Sequence, residues 1–578
     1  MTERQKSLGY TELKAARAQA RGTYWAVALF SFVVNMLMLT GPLYMLNVYD
    51  RVLGSRSVET LIALSVLVGF LYLSMGILDF VRTKLMARAA ARFQSHLDKR
   101  VFSAVIEGPR GAQAVPEAST GLQDLEAVQR LIKSPALMAV FDLPFMPLFL
   151  FGIYIFHPWL GALALGGGAL LVLIALINQL TNRTPLSVAN KSSIDAERLG
   201  EQIRAESELV RSLGMRDAVF SRWKGARDTA LSAAITASDA GNRYSALTKT
   251  LRLMMQSAML GLGAYLVLQD EMTAGAMIAG SILLGRALAP VELLIGQWAI
   301  VQRGREAWSR LAYLLGAVPQ AERRTELPVP NANVQADKLV VIPPGETQPA
   351  LRMLSFKATP GQAIGVIGTS GAGKSTLARA LTGVWPIAAG SLRLDGAAID
   401  QYEPDTLGKH IGYLPQRVEL FEGSIRDNIA RMSPNPDDAE VVRAAKTAAA
   451  HEMILKLPDG YDTKVSPSGG RLSGGQIQRI GLARAMYGDP VVLVLDEPNS
   501  NLDNEGSTAL NNAIRNAKAN GKSVLIMAHR PAAIQECDTL LVLDAGTARA
   551  FGPKDEVLRE IVKNHAEIKA STGVGGVS

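Results

Sequence analysis

Cysteine is almost missing from this chain: Cys537 is the single one in 578 residues. No intrachain disulfide can form, and nothing points to an oxidising compartment. Cys537 sits among apolar residues, which reads as a small buried side chain. Aromatic residues are sparse at 6%, and no basic segment interleaved with aromatics offers a platform for stacked bases. The formal charge of +8 therefore does not point to nucleic acid. Met1–Gly22 lacks the short apolar core and cleavage site of a removable signal peptide, so this Arg- and Lys-rich segment reads as a cytoplasmic lead. Charge is also missing, in long stretches, from the first 300 residues, and there the absence is informative.

The runs Tyr24–Leu46, Leu61–Phe80 and Leu160–Ile177 approach or exceed the roughly 18–20 apolar residues that cross a bilayer. Buried core helices would be shorter and would tolerate more charge. The pattern predicts six spans, at about 23–47, 59–80, 136–156, 158–180, 250–269 and 273–296. Met1–Gly22, Val81–Lys133 and Arg183–Lys249 hold most of the Lys and Arg between them, and by the positive-inside rule they are cytoplasmic. Both termini then lie inside. The two long cytoplasmic segments have helical periodicity, with turns expected near Gly108–Gly121 and Glu206–Gly214, so each should go down and return. Asn35, Asp79, Asp142, Arg286 and Glu292 lie within or beside apolar runs, where ionisable groups face a cavity or a partner. A pairing of Arg286 with Glu292 inside the bundle accounts for those two.

After Trp298 the composition changes. Residues 317–338, with Pro319, Pro328 and Pro330, read as a polar linker. From 339 to about 570 short β-rich runs (Ala363–Ile367, Val491–Leu495, Ser523–Met527, Leu540–Leu543) alternate with helical stretches, the rhythm of a parallel sheet flanked by helices. The Gly-rich tail 571–578 is expected to be disordered.

Chemistry concentrates in this second part. The strand Ala363–Ile367 runs into Gly368, Thr369, Ser370, Gly371, Ala372, Gly373, Lys374, Ser375 and Thr376, and a helix should begin near Lys374. A strand, this loop and a helix form the context that a phosphate-binding P-loop requires. Glycines let the backbone curl so that its N–H groups face phosphates, and the helix N-terminus favours an anion. Lys374 should reach the β- and γ-phosphates and Ser375 should ligate Mg²⁺. Downstream, Val491–Leu495 ends in Asp496 and Glu497. Two acids at the end of a buried strand are costly without a task. Asp496 suits the Mg²⁺ shell, and Glu497 suits the general base that polarises the attacking water.

Leu472-Ser-Gly-Gly-Gln476 opens another helical stretch, with Ser473, Gly474, Gly475 and Gln476 at its N-terminus. The order of P-loop, Tyr413-Leu-Pro-Gln416, LSGGQ, Asp496-Glu497-Pro498, Asn501-Leu-Asp503 and Ala528-His529-Arg530 resembles the nucleotide-binding domain of ABC transporters over about 338–560. That resemblance implies ATP and Mg²⁺ as cofactors and a signature loop that contacts ATP held by a second copy. It implies that Gln416 senses the metal and the water while touching the membrane domain, that His529 contacts the γ-phosphate, and that Asp503 lies at the dimer interface. One departure stands out: the family places an aromatic that stacks on adenine about 25 residues before the P-loop, and Leu339–Pro344 has none. Ile342 or Pro343 could give apolar contact only, so weaker base selectivity is expected.

Six spans before one such domain resemble half of an ABC exporter. The implied fold is a multidomain chain: an all-α six-helix transmembrane domain (23–316) of the type IV ABC exporter kind, then an α/β P-loop nucleotide-binding domain (339–570). A homodimer would supply twelve spans and two composite sites, with the cytoplasmic turns as coupling levers. Gly41-Pro-Leu-Tyr-Met-Leu-Asn-Val-Tyr-Asp-Arg-Val-Leu53, Phe141-Asp-Leu-Pro-Phe-Met-Pro147, His157-Pro-Trp159, and Ala350–Phe356 preceded by Pro343-Pro-Gly are similar to the PrtD-like type I secretion transporters. That resemblance implies ATP-driven export of an unfolded protein across the bacterial inner membrane, with a periplasmic membrane-fusion adaptor and an outer-membrane TolC-like channel. The chain begins almost at its first span, so no leader-processing domain is expected. Export of lipids or small amphiphiles remains an alternative from the same residues. A membrane gate that binds ATP without turnover is disfavoured by Lys374, Asp496, Glu497 and His529.

Overall fold

The computed structural model describes residues 3–108, 119–320, 324, 327–466, 472–502, 504–529 and 534–560. Asp503, Arg530 and the tail 571–578 lie outside the described residues. The chain divides into two compact units between residues 320 and 321.

The first unit is helical: α1 (Glu3–Ala18), α2 (Arg21–Leu37), α3 (Thr40–Asn47), α4 (Leu53–Ser55), α5 (Val58–Glu107), α6 (Gly121–Ile132), α7 (Pro135–Asp142), α8 (Met146–Phe156), α9 (Pro158–Ala205), α10 (Ser207–Ser212), α11 (Arg216–Leu268), α12 (Ala274–Gly296) and α13 (Trp298–Ala317). Among the described residues six stretches are long and apolar enough to cross a membrane: 21–55, 58–107, 135–156, 158–205, 216–268 and 274–296. Side-chain caps set several starts. The Ser57 hydroxyl accepts from Thr60 N–H, Ser134 caps α7 with Pro135 in its first turn, and His157 does the same ahead of Pro158, in each case satisfying an N–H without an intrahelical partner. The first span runs further than the sequence predicts. It continues through a π-turn at 48–52 and α4 to Ser55, and Arg56, with φ of 55°, ends it. Helices α5, α9 and α11 contain 50, 48 and 53 residues. At about 1.5 Å per residue each is over 70 Å long, more than twice the hydrocarbon thickness. The second return falls where expected, at Glu206–Met215; most of the first, expected near Gly108–Gly121, lies outside the described residues.

Two features were not legible beforehand. The N-terminal lead is not only a polar tether: α1 buries Leu13 and Ala16 in one core with Phe93, Leu97, Leu311 and Leu314. Its Gly9 lies so close to α13 that a Cβ would sit 1.9 Å from the Ala312 oxygen. Secondly, the intramembrane charges pair differently from expectation. Glu292 meets Arg252 at 2.7 Å, not Arg286. Asp142 and Asp79 both meet Arg82, at 2.7 Å and 2.6 Å, and Asn35 donates to Asp142 at 2.8 Å. Arg82 is 6% exposed and Asn35 2%, so this cluster ties the first three spans together from within.

The second unit is α/β. Its strands are β1 (Val334–Val341), β2 (Leu351–Ala358), β3 (Ala363–Gly368), β4 (Ile387–Leu394), β5 (Ala397–Ala398), β6 (Ile411–Leu414), β7 (Gly423–Ser424), β8 (Lys464–Val465), β9 (Val492–Asp496), β10 (Ser523–Ala528), β11 (Thr539–Asp544) and β12 (Thr547–Pro553). β1 begins at Val334, inside the segment expected to be linker. The main sheet has the order β12-β11-β3-β10-β9-β6, parallel except for β12. β9 and β10 are buried along their whole length, which is why they read as unbroken apolar runs. A second, antiparallel sheet has the order β2-β1-β4-β5. Helices α14 (Lys374–Leu381), α15 (Pro404–His410), α16 (Ile425–Ile429), α17 (Asp438–Thr447), α18 (His451–Leu455), α19 (Gly474–Met486) and α20 (Asn504–Ala519) complete this unit. Cys537 is 3% exposed in its core, and burial pushes its thiol up to about 12.

Candidate nucleotide site

Four neighbouring parallel strands, β6-β9-β10-β3, end on one edge of the main sheet. That edge is where ligands of open α/β sheets bind. The P-loop follows β3, Asp496 and Glu497 end β9, His529 follows β10, and Gln416 lies two residues past β6. Residues spread over 160 positions of sequence are thus brought together by strand order alone.

The P-loop turns sharply from β3 into α14. Gly371 and Gly373 have φ of +81° and +102°, conformations that a side chain would strain. At Gly373 a Cβ would also lie 2.7 Å from Leu351 Cδ2, so the loop rests on the start of β2. Thr369 and Ser370 are exposed, Ala372 and Thr376 are buried, and Ser375 is half-buried. Lys374 is 5% exposed. Its Nζ donates to the Gly368 and Thr369 carbonyls, both at 2.9 Å, and to His529 Nδ1 at 3.5 Å. Burial lowers its pKa, while Glu497 and Asp496 pull it the other way.

His529 Nε2 lies 3.0 Å from Glu497 Oε1. One tautomer serves both contacts: Nε2–H donates to Glu497 while Nδ1 accepts from Lys374. Glu497 has φ of 52°, a costly conformation for a side-chain-bearing residue and one that clusters at functional sites. Its own N–H donates to the Met527 carbonyl at 3.0 Å, which secures the end of β9 to β10.

Asp496 is 2% exposed and its Oδ1 has no hydrogen-bond partner among the described residues. Burial raises its pKa, and the Ser375 hydroxyl hydrogen-bonds to it and opposes that rise. A buried carboxylate oxygen without a donor costs about 1–3 kcal/mol and fits a divalent cation. Among the described residues no group of three His, Cys, Asp or Glu side chains could hold a metal alone. One carboxylate and one hydroxyl therefore suit Mg²⁺, which keeps its waters and takes its remaining ligands from phosphate.

The signature loop is built separately. Ser473 caps α19: its hydroxyl accepts from Gln476 N–H at 3.3 Å, and Gln476 Oε1 accepts from Ser473 N–H at 2.8 Å, a reciprocal capping box. Ser473 and Gly474 are exposed. Gly475 passes so close to Asn501 that a Cβ would lie 2.9 Å from its carbonyl oxygen. Beside it opens a cavity of about 800 Å³ lined by Ser473, Gly475, Gln476, His451 and Asn501. Among the described residues no hydrogen bond joins this loop to the P-loop of the same chain, and none ties exposed Gln416 to the groups on β9 and β10. Asp503 lies outside the described residues. Sequence reasoning missed Gln478, whose Nε2 donates to the Pro498 carbonyl at 3.3 Å while buried. It links the signature helix to the segment that follows Glu497. A polar residue on the apolar face of α19 was the available signal. Where adenine stacking was expected to be lost, half-buried Ile342 follows β1, and β1 pairs Val341 with the Leu351 that supports Gly373.

The ABC transporter family matches residues 351–500, and the ABC transporter transmembrane region matches residues 24–289. The chain is 40% identical to the type I secretion system ATP-binding protein PrsD of Rhizobium meliloti (strain 1021), over 95% of this chain and 94% of that one. It is 30% identical to the cyclolysin secretion/processing ATP-binding protein CyaB of Bordetella pertussis (strain Tohama I), over 92% of this chain and 75% of that one. Among solved structures, a bacterial Atm1-family ABC exporter with ATP bound has the same fold, with a TM-score of 0.80 over 97% of this chain and 100% of that one at 22% identity. A membrane region and an ATPase matched in one polypeptide, with relatives of this identity along nearly its full length, place it: the chain belongs to the ABC transporter family, among the type I secretion ATP-binding proteins.

Proposed function

We propose that two copies of this chain form the ATP-driven transporter of a type I secretion system in a bacterial inner membrane, with both termini in the cytoplasm. It exports an unfolded protein in company with a periplasmic membrane-fusion adaptor and an outer-membrane TolC-like channel. The observation that supports the ATPase most strongly is the convergence of Lys374, Asp496, Glu497 and His529 at the ends of adjacent parallel strands, in a chain with six apolar spans. The names of the relatives, which concern secretion, support protein as cargo.

In this reading Gly368–Thr376 wraps the triphosphate with backbone N–H groups at the start of α14. Lys374 exchanges the Gly368 and Thr369 carbonyls for phosphate oxygens, which removes the burden of its burial. Asp496, Ser375 and Gln416 would hold Mg²⁺, and the ion would supply positive charge against the phosphates. Glu497 takes the proton of the attacking water, and His529, oriented by Glu497, contacts the γ-phosphate. Ser473, Gly474, Gly475 and Gln476 face outward on an exposed helix N-terminus, so they serve the nucleotide of the second copy, with Asp503 alongside. ATP binding thereby closes the dimer, and hydrolysis releases it.

The test is secretion from cells that co-express the chain with an adaptor, an outer-membrane channel and a calcium-binding repeat protein as cargo, comparing wild type with Glu497→Gln. Cargo in the medium with wild type alone is the expected result. Cargo retained by both, with purified wild type hydrolysing ATP in response to lipids or amphiphiles, would replace protein by a small amphiphile as the transported class.

A further inference from the structure

A cavity of about 690 Å³ opens at the junction of α1 and α2, where the first span begins. Its apolar wall comes from four elements: Trp25 on α2, Leu131 and Ile132 on α6, Leu137 and Phe141 at the start of the third span, and Trp308 on α13. Its rim is basic. Lys14 and Arg17 project from the exposed face of α1, and Arg21 opens α2. No Asp or Glu lines the cavity, and among the described residues none of these three cations is paired with a carboxylate. Elsewhere in the same unit basic side chains do find acids, as in Arg100 with Glu12 at 2.9 Å and Arg130 with Glu126 at 3.3 Å. The opposite face of α1 is pinned by Leu13 and Ala16, so Lys14 and Arg17 are held in place. Trp25 is 77% exposed at the first turn of a span, the depth at which Trp settles among headgroups.

We infer that this cavity binds an anionic phospholipid from the leaflet in which α1 lies, its phosphate held by Lys14, Arg17 and Arg21 and an acyl chain lying against Trp25, Phe141 and Trp308. Three unpaired cations above an apolar slot suit an anionic phosphate joined to hydrocarbon, the cations sharing its oxygens. A free phosphate would leave the slot uncovered, and a protein segment would need acids and apolar residues in the same order. The site is lined by residues of the helical unit alone, and none of them is assigned to the nucleotide.

The experiment uses the purified full-length protein in detergent, with tryptophan quenching by brominated phosphatidylglycerol against brominated phosphatidylcholine. A basic side chain beside an anionic headgroup is worth about fivefold in binding, so three give roughly a hundredfold, and at least tenfold after screening. The expected result is a preference of that size for phosphatidylglycerol. It should be lost in Lys14→Gln/Arg17→Gln/Arg21→Gln and kept in Lys84→Gln/Arg88→Gln/Lys249→Gln, which removes the same charge from other exposed positions in the same unit. Equal binding of the two lipids by wild type would overturn the inference. So would a preference that survives in the first triple variant or disappears equally in the second. Displacement of the lipid by excess inorganic phosphate would reduce the site to an anion pocket and also overturn it.

Discussion

Replacing Glu497 by Gln isolates one oxygen's basicity. The geometry limits every other effect. Gln has the size and shape of Glu, so the packing around half-buried Glu497 is kept, and the backbone bond from its N–H to Met527 is untouched. His529 can still be held, because a Gln amide offers both a donor and an acceptor at the position now 3.0 Å from Nε2. What is lost is a group able to take a proton from water. Such a base contributes about 10²–10⁴ in rate, or roughly 3–5 kcal/mol of barrier. Nucleotide binding should persist, since the P-loop is intact and removing a negative charge beside Lys374 does not repel phosphate. Steady-state turnover of the protein in lipid nanodiscs, paired with equilibrium ATP binding, measures both quantities. The expected pattern is turnover reduced at least a hundredfold, retained binding and accumulation of a closed dimer. Turnover within about a factor of ten of wild type would leave under about 1.4 kcal/mol for the base and refute the assignment. Loss of binding together with turnover would refute the claim that the side chain acts only in chemistry.

Three other outcomes follow from the structure. Asp142→Ala leaves Arg82, 6% exposed, with the Ser31 hydroxyl and the outer Asp79 as its one carboxylate, and should lower stability by about 3 kcal/mol, whereas Arg82→Met/Asp142→Leu should recover most of it; thermal unfolding in detergent distinguishes the two. Asp496→Asn should leave the nucleotide-free protein at least as stable as wild type while abolishing protection by Mg²⁺. The raised pKa of Asp496 means that wild type bears the cost of this buried charge above the folded-state pKa and sheds it as pH falls through that value, so the stability advantage of the variant should shrink on acidification; unfolding midpoints against pH read this directly. Ile342→Tyr should strengthen ATP binding by about three- to tenfold, the worth of an aromatic pair, and should sharpen discrimination of ATP from pyrimidine nucleotides; unchanged affinity would place adenine elsewhere.

The sequence by itself determined the class of each half. Six apolar runs of bilayer length have no other stable use, and a strand that enters a Gly-rich loop and a Lys-led helix has few alternatives. Both signals are local: they depend on residues within about 20 positions, so one chain without relatives displays them. The order of strands along the chain also foretold which segments would carry chemistry. Tertiary structure decided what depends on residues far apart. The choice of Arg82 as the counter-ion of Asp142, of Arg252 rather than Arg286 for Glu292, and of α1 as a docked helix rather than a tether all turn on which faces meet across tens to hundreds of residues, which periodicity does not encode. The same holds within the site. Sequence named Lys374, Asp496, Glu497 and His529 one by one, but only the β6-β9-β10-β3 order puts them at one sheet edge, and only burial leaves an Asp496 oxygen without a donor. Motifs survive in sequence because chemistry needs particular side chains at fixed spacing. Pairings are decided by packing, which is satisfied once, in three dimensions.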